Sequence, residues 1–101
     1  MNLSQEEWKK KFESDENAYL LDVRTLEEYQ AGHIPNAKLI DILKPKNFMD
    51  SIESLDPTKN YYVYCRSGAR SSQACHLMNQ RGLYTTYNLI GGFMEWEDES
   101  I

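Results

Sequence analysis

The sequence predicts an α/β protein with a central parallel sheet of four or five strands and helices on both faces, in three layers. Two observations predict it. Short apolar runs of strand length alternate with segments whose apolar residues recur at helical spacing, and such alternation calls for right-handed crossovers above and below a parallel sheet. The residues best suited to chemistry, Cys65 and the Asp22-Val23-Arg24 run, fall at the C-terminal ends of predicted strands. Open α/β sheets place their ligand crevice there.

Taken in order, Ser4-Gln5-Glu6-Glu7 fits a capping box, with Leu3 and Trp8 spaced as a hydrophobic staple. Trp8 and Phe12 lie one turn apart, so a first helix runs to about Phe12. Ser14 to Asn17 is a polar break. Tyr19-Leu20-Leu21-Asp22-Val23 reads as a buried strand, and Thr25-Leu26-Glu27-Glu28 as a second capping box whose helix stops at Gly32. Ile34-Pro35-Asn36 forces extended or turned backbone. Ala37 to Ile40 is a short strand. Phe48, Met49, Ile52 and Leu55 mark one face of a third helix, closed by Asp56-Pro57. Tyr61 to Tyr64 is the next strand and Ser71 to Arg81 the next helix, with Gly82 as its stop. Thr85 to Ile90 is the last strand. Gly91-Gly92 then permits a sharp turn into a short helix carrying Phe93 and Trp96.

The 101 residues suffice for one domain with a modest core, and residues 1–101 are read as a single domain. Apolar residues make up 41% and charged residues 27%, as in ordinary globular chains. A net charge of -5 disfavours nonspecific binding to nucleic acid or an anionic membrane surface, so neither is expected as a partner. No apolar run reaches bilayer length and no secretory signal is present, which predicts a reduced, cytoplasmic protein. The two cysteines and two histidines are scattered without ligand spacing, so no metal is expected.

The segment Tyr61-Tyr62-Val63-Tyr64-Cys65-Arg66-Ser67-Gly68-Ala69-Arg70-Ser71 is the most informative. It sets a thiol at the end of a strand, inside a tight loop, facing a helix N-terminus. Backbone N–H groups and a helix start stabilise a sulfur anion, which makes Cys65 a candidate nucleophile. Gly68 suits the loop tip, where a side chain blocks close approach of the backbone. Arg66 and Arg70 are cations placed to attract an anionic substrate. Arg70 closes the loop, and its guanidinium is placed either to brace backbone carbonyls or to touch substrate. Arg66 is equally well read as a solvated loop residue.

Three segments together resemble the rhodanese-like sulfurtransferase family, in its single-domain form. They are Leu21-Asp22-Val23-Arg24 continuing through Glu28-Tyr29 to Gly32-His33-Ile34-Pro35-Asn36-Ala37, the loop Cys65 to Ser71, and Leu89-Ile90-Gly91-Gly92-Phe93 with Trp96. They come in the family's order and span most of the chain. The resemblance implies a rhodanese-like fold. It also implies movement of a sulfane sulfur from a small anionic donor such as thiosulfate, or from a persulfide, to a thiol or cyanide acceptor, by way of a Cys65 persulfide. An acceptor protein is a further implied partner, and a persulfide carrier or interaction module is the alternative role. By position Cys65 matches the sulfur-carrying residue. Arg66, Ser67, Gly68, Ala69 and Arg70 match the active-site loop, with Ser71, Asp22 and Arg24 in support. No cofactor is implied, and no general acid, since sulfite leaves already ionised. The related phosphatases and arsenate reductases carry one residue more between cysteine and arginine. The tighter loop here suits a single sulfur atom rather than a tetrahedral oxyanion.

Plainer roles fit the other candidates. Cys75 shares an apolar helix face with Ala74 and Met78 and reads as packing. His33 reads as part of a structural turn and His76 as an exposed helix residue. Arg24 and Glu28 are spaced to pair across the strand end. Phe93 and Trp96 are expected at the cleft wall because they follow the glycine turn.

Overall fold

A computed structural model describes all 101 residues. The sheet consists of β1 (Asn2–Leu3), β2 (Ala18–Asp22), β3 (Lys38–Leu39), β4 (Asn60–Tyr64) and β5 (Thr86–Leu89). All are parallel, in the order β1-β5-β4-β2-β3. The helices are α1 (Gln5–Glu13), α2 (Leu26–Ala31), α3 (Pro45–Glu53) and α4 (Ala69–Gln80), and a 3-10 turn spans Phe93–Glu95. No helix is long and apolar enough to cross a membrane.

The period of two along β4 sorts its side chains between two cores. Tyr61, Val63 and Cys65 face α3 and α4, where they pack with Leu21, Phe48, Ile52, Ala74 and Met78. Tyr62 and Tyr64 face the other way, onto Trp8, Leu20, Ile34 and Leu89. Every residue from Tyr61 to Cys65 is buried, as expected of a central parallel strand covered on both faces. Trp8 is wholly buried and meets Tyr62, Tyr64 and Trp96 edge to face. Its indole N–H donates to the Tyr87 carbonyl at 3.0 Å. Burying a side chain of this size contributes on the order of 3 kcal/mol.

The order of strands reverses beside β2. The chain runs outward from β2 to β3, then returns to the other flank of β2 as β4. A crevice forms outside the strand ends at such a reversal, and Cys65 and Arg24 follow the two strands that border it.

Most predicted elements are present with shifted ends. Helix α4 begins at Ala69, two residues before the expected Ser71, because Gly68 takes the N-cap in a left-handed conformation (φ +106°). Helix α3 ends at Glu53, and Leu55 lies past it in a turn. The terminal helix is a single 3-10 turn. Strand β1 was not foreseen, since two residues are too short to carry a period. Leu3 was read only as half of a staple, yet it also pairs with Leu89 at the sheet edge. Both capping sites are present. At Thr25 the box is complete, with the hydroxyl accepting from the Glu28 N–H at 3.2 Å and the Glu28 carboxylate accepting from the Thr25 N–H at 3.1 Å.

Candidate active site

Cys65 follows the last residue of the central strand, and the sheet's alternation turns its side chain toward the start of α4. The loop after it curls around the sulfur. The Gly68 N–H donates to Cys65 Sγ at 3.1 Å, and the Ser71 hydroxyl stands 3.3 Å from the same atom. Burial pushes the thiol pKa up. Hydrogen bonds from Ser71, through its hydroxyl and its backbone, and from the Gly68 and Ser67 N–H groups more than offset this and bring it below the usual cysteine value. The loop thus favours the ionised form of a sulfur that is fully buried.

Two glycines make the geometry possible. A Cβ on Gly68 would come within 3.3 Å of the Leu89 carbonyl, and its φ already excludes most side chains. At Gly92 (φ +59°) a Cβ would fall 2.4 Å from the Arg66 carbonyl oxygen and 2.6 Å from that of Cys65. This contact lets the chain after β5 lie directly on the loop, where Phe93 N–H donates to Cys65 O at 2.8 Å and Met94 N–H to Arg66 O at 2.9 Å.

Arg70 and Arg24 take partners other than those expected from the sequence. Arg70 grips Glu28 of α2 with two parallel bonds of 2.8 and 2.9 Å, so it neither braces loop carbonyls nor stands free for substrate. Its charge interacts with Cys65, but the hydrogen bonds contribute more to the sulfur's acidity. The Arg70 guanidinium, helped by the Thr25 contacts, holds the Glu28 carboxyl down at about 2. The expected Arg24–Glu28 pair is therefore absent. Arg24 instead pairs with Asp22 through bonds of 2.7 to 3.1 Å and donates to the Gly32 carbonyl at 2.7 Å. Its guanidinium lies 4.5 Å from the centre of the Phe93 ring. Asp22 and Arg24 are buried and satisfied, a brace beneath the strand ends rather than a second reactive group. Arg66, exposed and paired with no carboxylate, is the remaining free cation of the loop. It borders an open cleft of about 400 Å³ shared with Arg24, Glu28, Gly32, Phe93 and Met94.

The other candidates divide. Ser67 and Ala69 are exposed, and Ser71 is fully buried beside the sulfur. Phe93 lines the cleft as expected, but Trp96 does not, because it packs against Trp8 on the far side of the sheet. Cys75 is a buried free thiol whose pKa burial raises, in keeping with packing. His33 stacks on Tyr29 with ring centres 3.7 Å apart, and its Nδ1 meets the Tyr29 carbonyl at 2.8 Å, a structural turn. His76 is exposed.

Asn88 was missed. It sits on β5 beneath the loop, 4% exposed, in close contact with the Ser71 hydroxyl. A signal was present: an amide beside Leu89 and Ile90 in a strand of a sheet covered on both faces needs buried partners.

Fold and site together define an α/β protein that holds a cysteine sulfur in a cup of backbone and hydroxyl donors at a strand reversal. The rhodanese-like domain model matches residues 4–99, and the chain belongs to that family. It is 41% identical over 92 residues to a putative sulfurtransferase of Bacillus subtilis, YtwF, covering 91% of this chain and 85% of that one. It is 33% identical to a putative sulfur carrier protein of the same organism, YrkF, covering 93% of this chain but 49% of that longer protein. The crystal structure of a rhodanese-like domain protein from Staphylococcus aureus superposes with a TM-score of 0.82 at 33% identity, covering 97% of this chain and 92% of that one.

Proposed function

We propose that this protein is a rhodanese-type sulfurtransferase that carries sulfur as a Cys65 persulfide. The observation that carries the reading is the cup itself, with Sγ held by the Gly68 N–H at 3.1 Å and reached by the Ser71 hydroxyl at 3.3 Å. The Cys65 thiolate attacks the sulfane sulfur of thiosulfate or of a persulfide. A new S–S bond forms to Sγ, the donor's S–S bond breaks, and sulfite or a thiolate departs with the bonding pair. An acceptor thiol or cyanide then attacks the terminal sulfur, and the pair returns to Sγ as thiolate. The negative charge on the carried sulfur is suited to the Ser67, Gly68 and Ser71 donors that act on Sγ, so one set of donors serves both states. Arg66 is the residue we assign to drawing in an anionic donor. Because Cys65 works only as a free thiol, a reducing compartment such as the cytoplasm fits the reaction.

Phosphate-ester hydrolysis fits less well. The loop is one residue short of that chemistry, and Arg70, whose fork would clamp a tetrahedral oxyanion, is already bound to Glu28.

Incubation with thiosulfate should add the mass of one sulfur atom to the peptide holding Cys65, and cyanide should remove it as thiocyanate. Cys65→Ser should gain nothing. A wild-type protein that stays unmodified with thiosulfate, polysulfide and persulfide donors alike would overturn the assignment. A carrier role is favoured by the name of the YrkF relative. Slow discharge to cyanide beside fast discharge to a protein thiol would decide for it.

A further inference from the structure

The Ser71 hydroxyl has one proton and three acceptors within reach. Its oxygen lies 3.3 Å from Cys65 Sγ and 3.2 Å from the Gly68 carbonyl, and it closely contacts Asn88 Oδ1. A hydroxyl donates one such bond at a time. The Asn88 amide is fixed in its orientation by its other partners. Its NH2 group donates to the Gly68 carbonyl at 3.2 Å and to Asn2 Oδ1 at 3.0 Å. Turning the amide over would set its oxygen against the Gly68 carbonyl, two acceptors with no proton between them. Oδ1 therefore faces Ser71 as a standing competitor of the sulfur. Ser71 is fully buried and Asn88 nearly so, which keeps water from replacing either partner.

We propose that Asn88 is a positioning residue that acts through Ser71: the hydroxyl donates to Asn88 Oδ1 while Cys65 is a thiol and rotates onto Sγ when Cys65 is a thiolate. Ser71 keeps its own proton throughout, and the Cys65 proton leaves to solvent. Each time the hydroxyl turns to sulfur, a buried amide oxygen loses its donor, and this offsets part of what the thiolate gains. Asn88 thus holds Cys65 less acidic than the loop alone would make it.

The groups that act on this charge are few. Arg70 and Cys75 lie on α4, the Met1 ammonium at the β5 edge acts on Cys75, and Glu28 of α2 and Asp41 after β3 act on Arg70. β5 adds no titratable side chain to this face, since Tyr87 packs on the opposite core. The inference concerns the ionisation of Cys65 and not what the thiolate attacks, so its test is separate from sulfur loading.

Alkylation by iodoacetamide across pH, followed on the Cys65 peptide by mass spectrometry, reads the thiolate fraction. Ser71→Ala should raise the midpoint by about one pH unit. Asn88→Ala should lower it by about half a unit. The Gly68 carbonyl keeps the Ser72 N–H at 3.0 Å in that variant, so the loop retains an anchor. With both changes the midpoint should equal that of Ser71→Ala alone. Asn88→Val, which suits a strand, replaces the alanine variant if that fails to fold, and Ser71→Ala is informative by itself. An unchanged midpoint in Ser71→Ala overturns the proposal. So does an upward shift from the Asn88 change, or one of equal size with and without Ser71, since Asn88 would then act only by holding the strand.

Discussion

At Cys65 two opposing effects meet, and their balance decides the chemistry. Burial alone would push the thiol pKa up, as it does for Cys75 on α4. Hydrogen bonds from Ser67 and Gly68 of the loop and from Ser71 in the first turn of α4 reverse the sign at Cys65. The rate of sulfur loading should therefore rise with pH about a midpoint below the ordinary thiol value near ~8.5, and labelling near neutral pH should favour Cys65 over Cys75. Stopped-flow rates paired with peptide-resolved labelling check this. Preferential labelling of Cys75 would mean that the cup does not ionise the sulfur. Arg24 carries a different lesson. Replacing its side chain would leave the Asp22 carboxylate buried without its counter-charge, a loss of about 3–5 kcal/mol in urea unfolding that Cys65 variants do not share.

Among the elements, the joint between β5 and the 3-10 turn is the least tolerant. Gly92 lies against the Cys65 and Arg66 carbonyls, and the turn's N–H groups bond to those same carbonyls. Gly92→Ala should cost about 3 kcal/mol or more in urea denaturation, from a strained backbone added to a backbone overlap, and should slow sulfur loading by displacing the loop. A near-neutral effect would mean that the loop and the turn are not packed as described. The glycine pair was legible in the sequence as a turn. Its contact with the loop was not, because Cys65 and Gly92 are brought together only by the pairing of β4 with β5.

Across the whole molecule, the Glu28–Arg70 pair ties α2 on one face of the sheet to α4 on the other, over the mouth of the site. The folded chain holds the Glu28 proton only near pH 2, whereas the unfolded chain binds it near 4.5. The pair's contribution is thus complete above pH 4.5 and is lost as pH falls toward 2. For a partly exposed pair it amounts to about 1–2 kcal/mol. Glu28→Gln should remove that portion of the acid dependence of unfolding, leaving wild type and variant equally stable near pH 2. Parallel slopes across the window would contradict the pair.

Local rules carried much of this protein in its sequence. Capping boxes at Ser4 and Thr25, apolar runs at strand length and a cysteine followed by Arg-Ser-Gly-Ala-Arg-Ser sufficed for the α/β class, the place of the candidate thiol at a strand end and the family, because each depends on neighbours a few residues apart. The pairing of Glu28 with Arg70, and the place of Asn88 beneath Ser71, depended on the strand order β5-β4-β2. That order sets side chains from distant segments within hydrogen-bond reach, and charge pairing at such range is decided by geometry that no local pattern encodes.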